Sequence, residues 1–305
     1  MSSTFKALCS FAYFRRPSFG DLLEDLHAGG PAQVFGDSGA HSARTLGISL
    51  TVRDYAAWCH RWDERLTLYA NLDVIGAPEA TWRNQQALEA RGLRPIPVFH
   101  TGEPWHFLER YLDEGHTYIA LGKLLGNPLP DLLPWLDRAF KLAQGRAVFH
   151  GFGMTVWDVL RRLPFYSVDS SKWLEGERFG VATLYDDRTG AWSRFLLRDK
   201  TAVLRNRELI RSYGLDPRIL ANRAHFTAQR EQFTAAIAQS YHRAEADLRA
   251  RHGLIALPDG PRNPITRNGA PSTPGIHIFL AAANQTVLTR AAHGVRAAAA
   301  QEQPR

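Results

Sequence analysis

Three aspartates stand where short apolar runs give way to polar residues: Asp37 in "VFGDSGAH", Asp73 in "YANLDVIGAP" and Asp169 in "FYSVDSSKW". Two histidines, His100 in "VFHTGE" and His150 in "VFHGFGMT", close similar runs. Carboxylates gathered from such positions can serve two kinds of chemistry. One is metal-assisted hydrolysis, with His100, His150 and Asp169 as ligands and Asp37 as base, although the chain lacks the closely spaced histidine pairs that help to build such a site. The other is glycosidic exchange, in which one carboxylate attacks an anomeric carbon while a second moves protons on the leaving and entering groups. That chemistry needs two differently tuned acids and neither a metal nor another cofactor. Each residue also has a plainer role open to it: Asp37 as a turn former beside Ser38 and Gly39, Asp73 as a helix cap, Asp169 in an Asx-turn, and the histidines as packed core or loop groups.

The runs that carry these residues recur along the chain. "KALCSFAYF" (6–14), "AQVFGDSG" (32–39), "LYANLDVIG" (68–76), "PIPVFHTG" (95–102), "TYIALGKLLG" (117–126), "RAVFHGFG" (146–153) and "FYSVDSS" (165–171) are each followed by Gly or polar residues. Between them lie helical stretches such as "VRDYAAWCHRWDERL" and "PEATWRNQQALEARG", the second opening on Pro and closing on Gly as helices do. This βα rhythm suits a parallel barrel or a doubly wound sheet, and in a barrel the strand ends converge on one site. Asp37, Asp73, His100, Gly122 with Lys123, His150 and Asp169 are then expected to meet. Phe35, Phe99 and Phe152, near the same ends, are candidates to sandwich a planar ring, though strand aromatics are more often core.

After Ser171 the rhythm breaks. Residues 179–199 read as a hairpin around Asp-Asp-Arg-Thr-Gly, and residues 206–253 as two or three Arg- and Ala-rich helices broken near "GLDP". A Pro/Gly-rich loop follows, then a last strand in "IHIFLAAANQ" (276–285) and a last helix.

Composition narrows the class. The 305 residues are 45% hydrophobic and 22% charged, as in a globular chain. Two cysteines, Cys9 and Cys59, cannot build a disulfide scaffold or a cysteine-rich zinc site. With no long apolar segment and no exported-type start, the expectation is a soluble cytoplasmic protein with no membrane partner. The net charge of +7 is unevenly placed. Residues 1–187 carry 19 Lys/Arg against 22 Asp/Glu, while residues 188–305 carry 18 against 8. Such a basic rear half favours a polyanion such as nucleic acid, or is simply an Arg-rich solvated surface.

Taken together the motifs resemble the tRNA-guanine transglycosylase superfamily, barrels that exchange guanine for a 7-deazaguanine through a covalent aspartyl-sugar intermediate. "GDSGAH" is similar to the family's Asp-Ser-Gly-Gly-Phe motif, which implies Asp37 as acid/base with Ser38 and Gly39 in the pocket wall. "YANLDVIGAP" resembles the strand bearing the base-recognition aspartate, Asp73. "VFHTGE" puts His100 where the family has Gln-Gly, and "YIALGKLLG" keeps Gly122 but has Lys123 for a second glycine. "FHGFGMT" followed by "FYSVDSSKW" resembles the Gly-rich turn, with His150 and Gly151, and the Phe-Asp motif that makes Asp169 the nucleophile. The hairpin, closing strand and closing helix are similar too, so the likeness spans nearly the whole chain as scattered short motifs.

The resemblance therefore implies a (β/α)8 TIM-type barrel over residues 1–305 as a single domain, with the hairpin at 179–199 and the basic helical insertion at 206–253. Departures are instructive. No cysteine follows Cys59, so the family's zinc-supported subdomain is absent or rebuilt, and Ser170-Ser171-Lys172 stands in place of Pro-Thr-Arg. These changes look like the DNA-modifying branch of phages and bacteria, which implies DNA rather than tRNA as substrate, a free 7-deazaguanine base as second substrate, and room for accessory modification proteins. For a phage-encoded chain the compartment is the bacterial host's cytoplasm. Lys172, Arg205, Arg207 and Arg211 are then the expected phosphate contacts. A nucleic-acid-binding barrel without chemistry is the non-catalytic rival.

Overall fold

The computed structural model describes residues 4–220, 223–264, 266, 268–269 and 273–301. The chain opens with β1 (Phe5–Ser10), α1 (Phe19–Ala28), β2 (Ala32–Asp37), α2 (Ala40–Leu46), α3 (Val52–Trp62) and β3 (Leu68–Tyr69). It continues through α4 (Pro78–Glu89), β4 (Val98–His100), α5 (His106–Asp113), β5 (Tyr118–Gly122), α6 (Leu129–Ala143), β6 (Val148–Gly151), α7 (Trp157–Arg162) and β7 (Ser167–Ser170). The start of α4 is Pro78 in the first turn, where its missing N–H costs nothing. At the start of α3 the Thr51 hydroxyl accepts from the Asp54 amide at 3.1 Å.

Then comes α8 (Glu175–Phe179), the antiparallel pair β8 (Val181–Asp186) and β9 (Ala191–Leu196), and the helices α9 (Lys200–Arg205), α10 (Arg207–Arg211), α11 (Pro217–Leu220) and α12 (Arg223–His252). The last elements are β10 (His277–Ala281) and α13 (Gln285–Gln301). The other eight strands form one parallel sheet in the order β3-β2-β1-β10-β7-β6-β5-β4. That sheet curls so that its two edges touch at one parallel bridge, Ala70 to Ile96. Its amide bonds are Ile96 N–H to Tyr69 O and Asn71 N–H to Ile96 O, both 2.9 Å. The edges meet at this bridge and no continuous β3–β4 ladder closes the curve.

Strand side chains alternate between two separate cores, as the two-residue period requires. Leu8, Phe35, Leu68, Val98, Ala120 and Phe279 pack with one another inside the curl. Their neighbours Ala7, Val34, Phe99, Ile119, Phe149 and Ile278 join the helices in the outer layer. Phe99 is thereby turned away from the strand-end site: its ring stacks on Trp135 at 5.4 Å, so it cannot sandwich a ligand there.

The Arg-rich block is built differently from a binding surface. On α12 the residues Phe233, Ile237, Tyr241, Ala244 and Leu248 are buried, and Phe233 and Ile237 lie so close to Gly176 that a Cβ there would meet them at 2.6 and 2.7 Å. Glu245 bolts the helix to the sheet, accepting from Lys6 Nζ at 2.6 Å and from the Ile278 amide at 2.9 Å. Arg249 joins the same carboxylate at 2.7 Å. Much of the helix is thus structural: those five buried residues recur at spacings of three and four, and Thr234, Ala238 and Ser240 are buried beside them.

Candidate active site

The parity that separates the two cores also selects the site. Counting in twos from interior residues, Phe35 leads to Asp37, Val98 to His100 and Ala120 to Gly122, while Ser167 and Asp169 share one face. The structure brings Asp73 and Asp169 close enough to Asp37 for their charges to act on it. Burial, then the charges of Asp73 and Asp169, push the Asp37 carboxyl up to about 7. The Gly39 amide, donating to Asp37 Oδ2 at 3.0 Å, and the nearby Ser10 hydroxyl work against that rise.

Gly39 sits at φ +79°, in the left-handed region, and a Cβ there would meet Ser10 Oγ at 2.2 Å. This close approach explains the Asp-Ser-Gly turn. Ser38 is fully buried, and its hydroxyl donates to Asp73 Oδ1 at 2.9 Å. The motif therefore orients both carboxylates: its glycine amide holds Asp37, and its serine holds Asp73.

His100 is held between two carboxylates. Its Nε2 lies 2.9 Å from Asp73 Oδ2 and its Nδ1 2.8 Å from Glu103 Oε1. Its own amide donates to Glu103 Oε2 at 2.9 Å. Burial alone would lower the imidazole, but the hydrogen bonds and charges of Asp73 and Glu103 outweigh it and raise His100 to about 9. At neutral pH it is an imidazolium donating from both nitrogens. Gly122 makes room for it, since a Cβ at Gly122 would meet His100 Cδ2 at 2.5 Å. Lys123, exposed, takes a left-handed φ of 54°, and its carbonyl accepts from Thr101 Oγ1 at 2.7 Å and Asn127 Nδ2 at 2.6 Å. Those two bonds hold a lysine in a conformation ordinarily left to glycine.

His150 is the opposite case. It is fully buried, with the Phe35 and Phe152 rings each 4.6 Å away, and burial lowers it despite Asp169. Its Nδ1 meets Ser167 Oγ at 2.6 Å, and Ser167 Oγ is tightly bonded to the Tyr118 hydroxyl. Its Nε2 faces Asp169 Oδ1 at 3.4 Å. A carboxylate facing Nε2 favours the proton there, so Ser167 donates to Nδ1 and Tyr118 donates to Ser167. Asp169 is steadied further by the Gly153 amide, which donates to Oδ1 at 2.7 Å. Neither a model of any protein family nor any curated protein matches this chain.

Other expected residues fall elsewhere. The side Gly151 leaves bare faces the outer layer, where a Cβ would meet Phe165 Cε1 at 2.8 Å and Met154 Cβ at 2.9 Å, so packing accounts for the glycine. Lys172 and Arg205 are exposed, whereas Arg207 and Arg211 share the carboxylate of Glu208, at 3.2 and 3.0 Å. Among the described residues no three His, Cys, Asp or Glu side chains converge as a metal site, and His100 and His150 are held by different carboxylates. Glu103, Ser167 and Tyr118 were not singled out by sequence. The spacing of "HTGE" and the same-face pair Ser167 and Asp169 were the available signals.

Proposed function

We propose that the chain is a DNA-guanine transglycosylase, exchanging guanine for a free 7-deazaguanine base through a covalent aspartyl-sugar intermediate. The observation that carries this reading is the Asp37 carboxyl, raised to about 7 between Asp73 and Asp169. A group poised there can give and take a proton at neutral pH, which a base exchange requires in its two halves. The curled sheet reads on this view as a (β/α)8 barrel with its strand ends at the reacting face.

A stacked base hides its anomeric carbon, so the target guanosine is first turned out of the duplex, at a cost of a few kcal/mol. Asp169 attacks C1′ of its sugar. A C1′–O bond forms as the C1′–N9 bond breaks, the electron pair leaves with guanine, and Asp37 supplies the base with a proton. The incoming 7-deazaguanine loses its N9 proton to Asp37, and N9 displaces Asp169 from C1′. Both carboxyl groups return to their starting states. Asp73, fixed by Ser38 and His100, offers its remaining lone pairs to the donor edge of either base. The Gly153 amide, donating to Asp169 Oδ1 at 2.7 Å, orients the nucleophile, with His150 Nε2 3.4 Å from the same oxygen.

The test is a denaturing gel of protein incubated with labelled DNA. Wild type is expected to form a slow-migrating covalent adduct, released by added 7-deazaguanine, and Asp169→Ala to form none. An Asp169→Ala enzyme that still exchanges labelled guanine sinks the assignment, and an adduct with tRNA alone moves the substrate from DNA to tRNA.

A further inference from the structure

Several arginines of the basic rear half are engaged within the protein. There Arg207 and Arg211 share Glu208, Arg249 is bound to Glu245, and Arg251 donates to the Arg161 carbonyl. The front half, neutral overall, holds a 380 Å³ cleft between the β1–α1 loop and α3. Arg15, Arg16 and Arg61 line it, all exposed, and among the described residues none of them has an acidic partner. Its floor is aromatic: Phe11 and Trp58 are buried with ring centroids 5.6 Å apart, and half-buried Trp62 carries the Arg61 guanidinium 5.0 Å over its ring. Asp54 is the single acid among the lining residues, and it is already engaged by Arg53 at 3.3 Å and Thr51 at 2.7 Å.

The cleft adjoins the candidate site through its floor. Phe11 directly follows β1, and its amide donates to the Asp37 carbonyl at 2.7 Å. Guanidinium forks that lack carboxylate partners match phosphate oxygens in pairs, and a planar wall of indole and guanidinium accepts a base by stacking. A volume of this size suits one nucleotide and not a whole duplex.

We propose that this cleft is a nucleotide subsite, with a phosphate on Arg15 and Arg16 and a planar base against the Arg61–Trp62 wall. A nucleotide of the DNA strand leading to Asp37 is the occupant; that assignment of source rests on the exchange reading above, whereas the phosphate-and-ring chemistry does not. A free nucleotide offers the same chemistry and is separated by experiment.

The full chain is titrated into fluorescein-labelled DNA across a range of salt, and in parallel with dGMP, using wild type, Arg15→Ala/Arg16→Ala and Arg15→Lys/Arg16→Lys. Both pairs are exposed, and a thermal melt checks that each variant is folded. The alanine pair is expected to weaken DNA binding about tenfold or more and to reduce the log–log salt slope by about 1.8, the share of two phosphate contacts on duplex, while the lysine pair keeps most of the slope. Unchanged DNA binding with loss of dGMP binding assigns the cleft to a free nucleotide and overturns the strand as its source. Unchanged binding of both overturns the subsite. If wild type forms no covalent adduct yet loses DNA with the arginine pair, the exchange reading alone fails; if adducts form and the pair has no effect, the subsite alone fails.

Discussion

Asp37 is where function and stability oppose each other most directly. Its carboxyl rises from an ordinary 3.8 to about 7 in the fold, so between those values the folded chain binds a proton that the unfolded chain does not. The favourable contribution is full below 3.8 and is lost as pH rises through 7. At pH 8 the folded protein therefore holds an unwelcome charge beside Asp73 and Asp169. Asp37→Asn keeps an oxygen for the Gly39 amide and removes that charge. We expect it to abolish exchange while stabilising the fold at pH 8 by about 1–2 kcal/mol, after allowance for solvent contact, with little gain at pH 4. Thermal melts at the two pH values check this, and equal shifts at both would contradict the electrostatic origin.

At the scale of the element, strand β5 exists in its present form to accommodate a side chain from β4. Gly122 lies opposite His100 in the register, and the 2.5 Å approach of its absent Cβ to the imidazole leaves no tolerance for a methyl group. Gly122→Ala should push His100 off Asp73, costing about 1–3 kcal/mol of stability. The imidazole should then titrate below its present value of about 9, because it loses the charge that opposes burial. An NMR titration of the His100 ring reads this separately from any loss of activity, and an unchanged titration would show that the ring tolerates the methyl in place. The strand-end pattern places Gly122 beside the site; the reason for a glycine there appears only when β4 and β5 are laid side by side.

For the molecule as a whole, the far side from the carboxylates is held by buried charges and neutral histidines. Burial pulls His116 down to about 3 and both His242 and His277 to about 4. Each contributes stability that is full above its ordinary 6.5 and is lost as pH falls through its folded value, since the unfolded chain gains a proton first. We expect urea midpoints to drop steeply between pH 6.5 and 4, and the drop to be shallower in a His116→Gln/His277→Gln variant. An identical profile in that variant would place the acid sensitivity elsewhere. The Lys6 and Glu245 pair ties α12 to the sheet in the same region, with Glu245 held near 2: burial opposes this, but Lys6, His242 and Arg249 prevail. Lys6→Met would leave a buried carboxylate short of its main partner and cost about 3–5 kcal/mol, read from the same urea curves.

Local patterning determined the eight parallel strand runs and the hairpin that interrupts them, because alternation, turn residues and helix boundaries are properties of neighbours in the chain. It also set the carboxylates apart, since Asp37, Asp73 and Asp169 follow apolar runs whose ends a parallel sheet must align. What it could not decide depends on distance across the fold. Phe99 and His100 are adjacent, yet one stacks in the helical layer and the other enters the site, by the parity of a three-residue strand. Arg15 and Arg16 gain a common setting only where α3 supplies Arg61 and the aromatic floor, whereas Arg207 and Arg211 pair with Glu208 one and three residues away, a local matter. The proton-bearing character of Asp37 is tertiary in the same sense: it arises from burial and two like charges 36 and 132 positions away in sequence, which no local rule can sum.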